Sequence, residues 1–207
     1  MEVQKRNSDR VSVFLEGEFA FGLPKIVAAQ LEVGRYLSQE EVAALQEKGV
    51  VENARQRALR LISRRPRSEK ELRQYFDRRE IPELIQEIVI EDLIQAELVD
   101  DFSFAKTWVE NRSAFRPRGA MALKAELRQK GISRMAIEEA LVGFDEDEAA
   151  LKAGQKAVDR YGNLAWQDFR KRMGAYLGRR GFRFDIISSV VDRLWRQVAK
   201  DESEGFE

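Results

Sequence analysis

The spacing of apolar positions changes period once along the chain. Val11, Val13 and Leu15 alternate with other residues, Glu16-Gly17 interrupts, and Phe19 and Phe21 alternate again. A two-residue period broken by a glycine turn predicts a β-hairpin over residues 11–23, the one strand pair in the pattern. From Pro24 onward the period is helical. Ser38 followed by Glu41 reads as a capping box that opens a helix running toward Gly49, with Leu37, Val42 and Leu45 on its apolar side. A second helix, from about 52 to 64, carries Ala54, Ala58, Leu61 and Ile62 on one face and ends before Pro66. Ser68 and Glu71 repeat the capping pattern and start a helix with Leu72 and Phe76 inside. Pro82 suits a first helical position, and Ile85, Ile88 and Val89 line one side of the helix it opens.

This three-helix pattern recurs. Residues 64–81 can be laid on residues 115–132 at an offset of 51 without a gap. Arg65-Pro66-Arg67 then falls on Arg116-Pro117-Arg118, Leu72 on Leu123, Phe76 on Leu127, Arg79 on Lys130 and Ile81 on Ile132. A weaker third copy lacks the Arg-Pro-Arg turn but aligns Met173, Leu177, Arg180, Gly181 and Phe182 with Leu123, Leu127, Lys130, Gly131 and Ile132. A fixed period near 50 residues is the mark of tandem supersecondary units. A unit that small buries too little surface to be robust alone, so neighbours are expected to share core. The expected fold is therefore mainly α: a short N-terminal β-hairpin with a helical segment (1–53), three-helix repeats at 54–98, 99–148 and 149–200, and an acidic tail at 201–207.

Charge follows the same period. The net formal charge is +7 over residues 54–79, −8 over 80–101, +6 over 102–134, −5 over 135–159 and +6 over 160–183. The two ends, 1–53 and 184–207, are −3 each, so 36 basic and 36 acidic residues cancel. Segregated blocks differ from the interspersed i,i+4 signs of an ordinary solvated helix. Each repeat thus has a basic first part and an acidic third helix. Arginine outnumbers lysine in the basic blocks, which suits bidentate contacts to carboxylate or phosphate.

Composition removes most chemistry. The chain has no cysteine and no histidine, which excludes disulfides, thiolate or imidazole metal sites and a Ser-His-Asp arrangement. Glycines near the N-terminus are isolated, with no Walker-type loop. Asp100-Asp101 and the run 145–148 read as helix starts, since acids there complement the helix dipole. Trp108, Trp166 and Trp195 sit among helical apolar positions and are expected to pack. No cofactor, metal or enzymatic activity is expected. No apolar run approaches the roughly 18 residues of a membrane span, and the N-terminus lacks the core of a secretory signal, so a cytoplasmic protein is expected.

One stretch carries a family resemblance. LVDDFSFAKTW (98–108) is similar to the signature of RecX proteins: a hydrophobic pair, two acids, then an aromatic-Ala-x-x-Trp helix. ELRQKGI (126–132) resembles that family's second-repeat motif, and the hairpin ending GEFAFGL resembles the segment that precedes its repeats. The resemblance implies tandem winged-helix-like units without wings. It also implies a regulator, usually an inhibitor, of the RecA recombinase that docks along the groove of the RecA–DNA filament and limits its extension, ATPase and strand exchange. DNA, single- or double-stranded, is implied as a weaker partner, and no membrane. Glu80 departs from the pattern where later copies have Gly131 and Gly181, and Glu97 stands where many members have glycine. A non-glycine residue in a left-handed cap costs about 1–2 kcal/mol, so another cap is expected at both helix ends.

The candidate contact surface is the basic stripe. Its members are Arg65, Arg67, Arg73, Arg78 and Arg79 in the first copy; Arg116, Arg118, Lys124, Arg128 and Lys130 in the second; and Arg170, Lys171, Arg172, Arg179 and Arg180 in the third. Two other readings use the same residues: a helix-turn-helix-like DNA-binding regulator, and a DNA-independent protein adaptor. The first of these is opposed by acid in the third helix, the usual groove reader, because phosphates repel it.

Overall fold

The computed structural model describes residues 1–4 and 7–204. The chain divides into two compact units, residues 1–99 and 100–207.

The first unit begins with a three-stranded antiparallel sheet, β1 (Glu2–Gln4), β2 (Asn7–Leu15) and β3 (Glu18–Pro24), in that order. The expected hairpin is present, with a further strand on the outer side of β2. Glu16 and Gly17 both take positive φ, 52° and 87°, the turn whose twist matches antiparallel strands. Val11 pairs with Leu23 and Val13 with Phe21, and all four are buried. Phe19 does not share the buried face of Phe21. The register shifts between Val13 and Phe14, and this bulge turns Phe19 outward to rest edge-on against Phe14.

A short helix α1 (Lys25–Ala28) leads to α2 (Gln39–Ile62), opened by the capping box of Ser38 and Glu41. The two helices expected on either side of Gly49 are one continuous 24-residue helix. Gly49 serves close approach instead of helix termination. A Cβ there would stand 2.8 Å from Leu23 Cδ2, so the missing side chain lets the sheet lie on the helix. Arg10 fastens the same contact by donating to Asn53 Oδ1 at 2.7 Å and to the Gly22 carbonyl at 3.0 Å. Helix α2 therefore belongs to two cores: Val42 and Leu45 pack under the sheet, and Ala54 and Ala58 line the first repeat.

That repeat is completed by α3 (Glu69–Asp77) and α4 (Glu83–Gln95). Ser68 Oγ caps α3 by accepting from Glu71 N–H. Leu72 and Phe76 are fully buried against Ile85, Val89, Ile90 and Leu93. Ile88 is not on this face; the buried i,i+4 row of α4 is Ile85, Val89 and Leu93, which leaves Ile88 outside. Gln86 is the buried polar group of the turn, donating from Nε2 to Asp77 Oδ1 (2.8 Å) and to the Ile81 carbonyl (2.9 Å).

The second unit holds two repeats: α5 (Asp101–Phe115), α6 (Ala120–Gln129) and α7 (Arg134–Ala140), then α8 (Glu146–Tyr161), α9 (Trp166–Gly178) and α10 (Phe184–Glu204). Helix α10 takes in residues 201–204 of the expected acidic tail, and 205–207 lie outside the described residues. Both acidic stretches open helices as expected, and the structure selects the capping acids: the Asp100 side chain caps α5 and that of Asp145 caps α8. Leu123 and Leu127 of α6, and Met173 and Leu177 of α9, are fully buried at the positions of Leu72 and Phe76. Two or three residues past each second helix the chain turns left-handed: φ is 54° at Glu80, 86° at Gly131 and 79° at Gly181. Glu80 and Glu97 (φ 57°) thus adopt the glycine conformation themselves, contrary to the expected alternative cap. Buried Phe76 and Leu93 anchor these turns, since the N–H groups of Ile81 and Leu98 bond back to their carbonyls, and that packing outweighs the local strain.

Repeats two and three meet closely. Gly119 N–H donates to the Arg180 carbonyl at 2.9 Å, and Ala120 N–H donates to Glu146 Oε1 at 3.1 Å. Phe144 packs against the cores of both repeats.

Three outcomes follow. Gly119→Ala would place a Cβ 2.1 Å from the Gly181 carbonyl oxygen. Because that neighbour is backbone, urea unfolding should show a loss of about 3 kcal/mol, the upper part of the overpacking range. Gly174→Ala, whose Cβ meets only Ile187 Cγ2 at 3.7 Å, should be neutral or stabilising in the same measurement. Asp100→Ala should cost about 1 kcal/mol as a lost cap. The Ser103 hydroxyl first, and the Phe102 N–H, hold the Asp100 carboxyl below its usual range. With a depressed folded-state pKa, this contribution is present above the ordinary carboxylate value and is lost as pH falls through the depressed one, which acid titration of the two proteins will register.

Candidate partner-binding surface

The fold sorts the predicted basic stripe into two groups. In the first repeat, Arg65 forks onto Glu71, with Nη1–Oε2 at 2.8 Å and Nη2–Oε1 at 3.1 Å. Arg73 pairs with Glu69 at 2.8 Å. Arg67 Nε donates to the Leu61 carbonyl at 3.4 Å. Burial, then the charge of Arg65, lowers the pKa of Arg67, yet an arginine keeps its proton under such shifts. Arg65 and Arg67 thus hold the turn between α2 and α3, while the Arg73 pair is internal to α3. Arg78 and Arg79 are exposed at the end of α3, where the Arg79 guanidinium lies 3.7 Å from the centre of the Tyr75 ring.

The second repeat is arranged differently. Glu126 occupies the position of Tyr75 and gathers three donors: Trp108 Nε1 at 2.8 Å, Arg112 Nε at 2.8 Å and Arg118 Nε at 3.4 Å. Arg112 also lies over the Trp108 ring, at 4.4 Å, with Lys130 Nζ at 5.1 Å. Trp108 stacks on Phe104, so this cluster ties α6 to α5. Arg116 and Arg128 are exposed, and Lys124 is half-buried.

In the third repeat, Arg180 repeats the geometry of the first, 3.9 Å from the centre of the Tyr176 ring. Arg179, Lys171 and Arg172 are exposed, and Arg170 is 5.9 Å from the Trp166 ring. The Gly119–Arg180 bond brings the backbone of Arg116-Pro117-Arg118 beside that of Arg179-Arg180. Cations 61 to 64 residues apart in sequence therefore lie on adjoining backbone within the second unit. Among the described residues, no carboxylate lies within ion-pairing distance of Arg78, Arg79, Arg116, Arg128, Arg179 or Arg180.

The acidic third helix of the first repeat faces outward. Glu83, Glu87 and Glu91 are exposed, and α4 carries no cation. In α7, Arg134 pairs with Glu138 at 2.7 Å.

Sequence reasoning passed over Tyr75, Tyr176, Trp108, Arg112 and Glu126 as partners of the stripe. A signal existed for the tyrosines: YFDRR (75–79) and YLGRR (176–180) match at an offset of 101, with ELRQK (126–130) between them.

Fold and surface together define a class: tandem three-helix repeats behind a small N-terminal sheet, with cationic second-helix ends and, in the first repeat, an acidic third helix. Family profiles match each part. That of the RecX N-terminal domain covers residues 1–38, and those of the first, second and third RecX three-helix domains cover 54–93, 100–141 and 145–191. The chain belongs to the RecX family. It is 31% identical to regulatory protein RecX of Bacillus pumilus (strain SAFR-032), over 99% of this chain and 80% of that one. It is 30% identical to regulatory protein RecX of Clostridioides difficile (strain 630), over 94% and 93% respectively. A crystal structure of regulatory protein RecX superposes with a TM-score of 0.72 at 26% identity, covering 88% of this chain and 94% of the other. The chain thus has the regulatory role of that family. No helix among the described residues is long and apolar enough to cross a membrane.

The Glu126 cluster predicts a clear difference between acids. Glu126→Ala leaves three partly buried donors unpaired and should cost about 2–3 kcal/mol in urea unfolding, within the range for charged hydrogen bonds. Glu148→Ala, which breaks the exposed i,i+4 pair with Lys152, should change stability by less than about 1 kcal/mol.

Proposed function

We propose that this protein regulates the RecA recombinase, as an inhibitor, by binding along the groove of the RecA–DNA filament. In this reading it limits filament growth, ATPase and strand exchange. The observation that carries it is the sorting of charge by position in the repeat. Cations free of carboxylate partners collect at the ends of α3 and α9, with acids on the outer face of α4. A nucleoprotein filament presents both phosphate and protein, so a surface with separate bands of each sign matches it better than it matches bare DNA. The absence of a cation from α4 speaks against a helix-turn-helix reader that inserts its third helix into a duplex groove.

The test is single-strand-dependent RecA ATPase, together with filament length by electron microscopy, at micromolar concentrations of this protein. Both should fall, and the effect should weaken as ionic strength rises, because exposed charges are screened. No change in either quantity would overturn the proposal.

A further inference from the structure

Two of the three repeats end their second helix in the same five-residue pattern, and the structure gives it the same form twice. In 75–79 and 176–180 a tyrosine is followed four residues on by an arginine stacked on its ring, at 3.7 Å and 3.9 Å. A second, exposed arginine, Arg78 or Arg179, stands beside it. The chain then turns through a left-handed residue, Glu80 or Gly181. The two platforms lie 101 residues apart, at equivalent positions of the first and third repeats. The middle repeat has the same backbone but replaces the tyrosine by Glu126, which holds Trp108, Arg112 and Arg118.

The bland account is that arginines at a helix end complement the helix dipole. It explains the charge, but not why one arginine of each pair is stacked on a tyrosine, with no carboxylate among the described residues within ion-pairing distance of either. A guanidinium resting on a ring uses its face, and its edge N–H groups stay available in a fixed position, which lowers the entropy lost on gripping a phosphate. Arg79 commits one of its five donors to the Tyr75 carbonyl, at 3.4 Å. Paired aromatic and arginine surfaces are also what unstacked bases settle on, and duplex DNA does not offer its bases this way.

We propose that Tyr75 with Arg78 and Arg79, and Tyr176 with Arg179 and Arg180, are two equivalent contact sites for a single-stranded nucleic acid, and that the middle repeat is sealed against that role by Glu126. The inference deepens the filament reading and rests on it for its setting. The strand inside a RecA filament is the single-stranded ligand at hand.

The probe is a fluorescein-labelled oligodeoxythymidylate, titrated with the full chain and read by anisotropy at several salt concentrations. Arg78→Ala with Arg79→Ala, and separately Arg179→Ala with Arg180→Ala, should each weaken binding about tenfold and lower the salt slope by about 0.7 per arginine removed. Arg79→Lys with Arg180→Lys keeps the charge but loses the planar stack, and should still weaken binding about threefold. Lys106→Ala with Arg134→Ala, exposed middle-repeat cations outside the stripe, should change it by less than about twofold. The assignment is overturned if the middle-repeat pair weakens binding as much as either platform, if both platform pairs bind as the unsubstituted chain does, or if that chain does not bind the oligonucleotide. Capture by RecA without DNA separates this result from the filament reading. Platform variants that bind the oligonucleotide normally but lose RecA capture would mean the arginines meet protein, which overturns the nucleic-acid assignment and leaves RecA regulation standing. Loss of oligonucleotide binding in these variants, with an unsubstituted chain that has no effect on RecA, would uphold the sites and overturn the filament reading.

Discussion

Each repeat is held by two side chains one helical turn apart on its second helix: Leu72 and Phe76, Leu123 and Leu127, Met173 and Leu177, all with no exposed surface. They are the contacts between that helix and its two flanking helices, and their burial contributes about 1.5–3 kcal/mol apiece. With one face of so short a helix committed inward, the remaining face must be polar. The chain must then reverse immediately after the helix, because Ile81, Ile132 or Phe182 packs back under it. The left-handed residue at 80, 131 and 181 is the consequence. Its cost at Glu80 is met by that packing, so the fold tolerates a glutamate where two sister repeats have glycine.

The same constraint organises the charges. Residues just before the reversal lie at the C-terminal end of a helix, where cations are favoured, and they are held outside the core by the buried pair. Arginines earlier in the repeat pair internally: Arg65 with Glu71 and Arg118 with Glu126 from the turn before the second helix, and Arg73 with Glu69 within α3. A band that is uniformly basic along the chain is therefore divided in space between cations that hold the fold together and cations presented outward. The division differs among repeats, and the difference rests on one position: tyrosine in the outer two, glutamate in the middle one.

Close approach sets the remaining geometry. Gly49 brings the N-terminal sheet onto α2, and the single helix through both cores makes the sheet and the first repeat one body. Gly119 and Gly181 do the same for the second and third repeats, where backbone meets backbone. Neither contact needs a special side chain. Each needs the absence of one, which is why a glycine read as a helix end at Gly49 was in fact a packing site.

Periodicity and charge spacing by themselves determined a good deal here: the hairpin, the three-helix repeat near 50 residues, its buried pair, the helix cap at Ser68, the helix starts at 100–101 and 145–148, and the banding of charge. These are local properties, written in residues a few positions apart, so a linear reading reaches them. What only the tertiary structure decided involves residues brought together from afar or from opposite sides of a helix. The bulge that turns Phe19 outward, the exposed side of α4 that takes Ile88, and the merging of two expected helices through Gly49 depend on what packs against each element. The ion pairs that remove Arg65, Arg73 and Arg118 from the free stripe also depend on folded geometry, because a charge count cannot tell a paired guanidinium from an open one. Left-handed Glu80 and Glu97 belong to the same group: local propensity disfavours them, and only the packing of the residues beyond them overrides it.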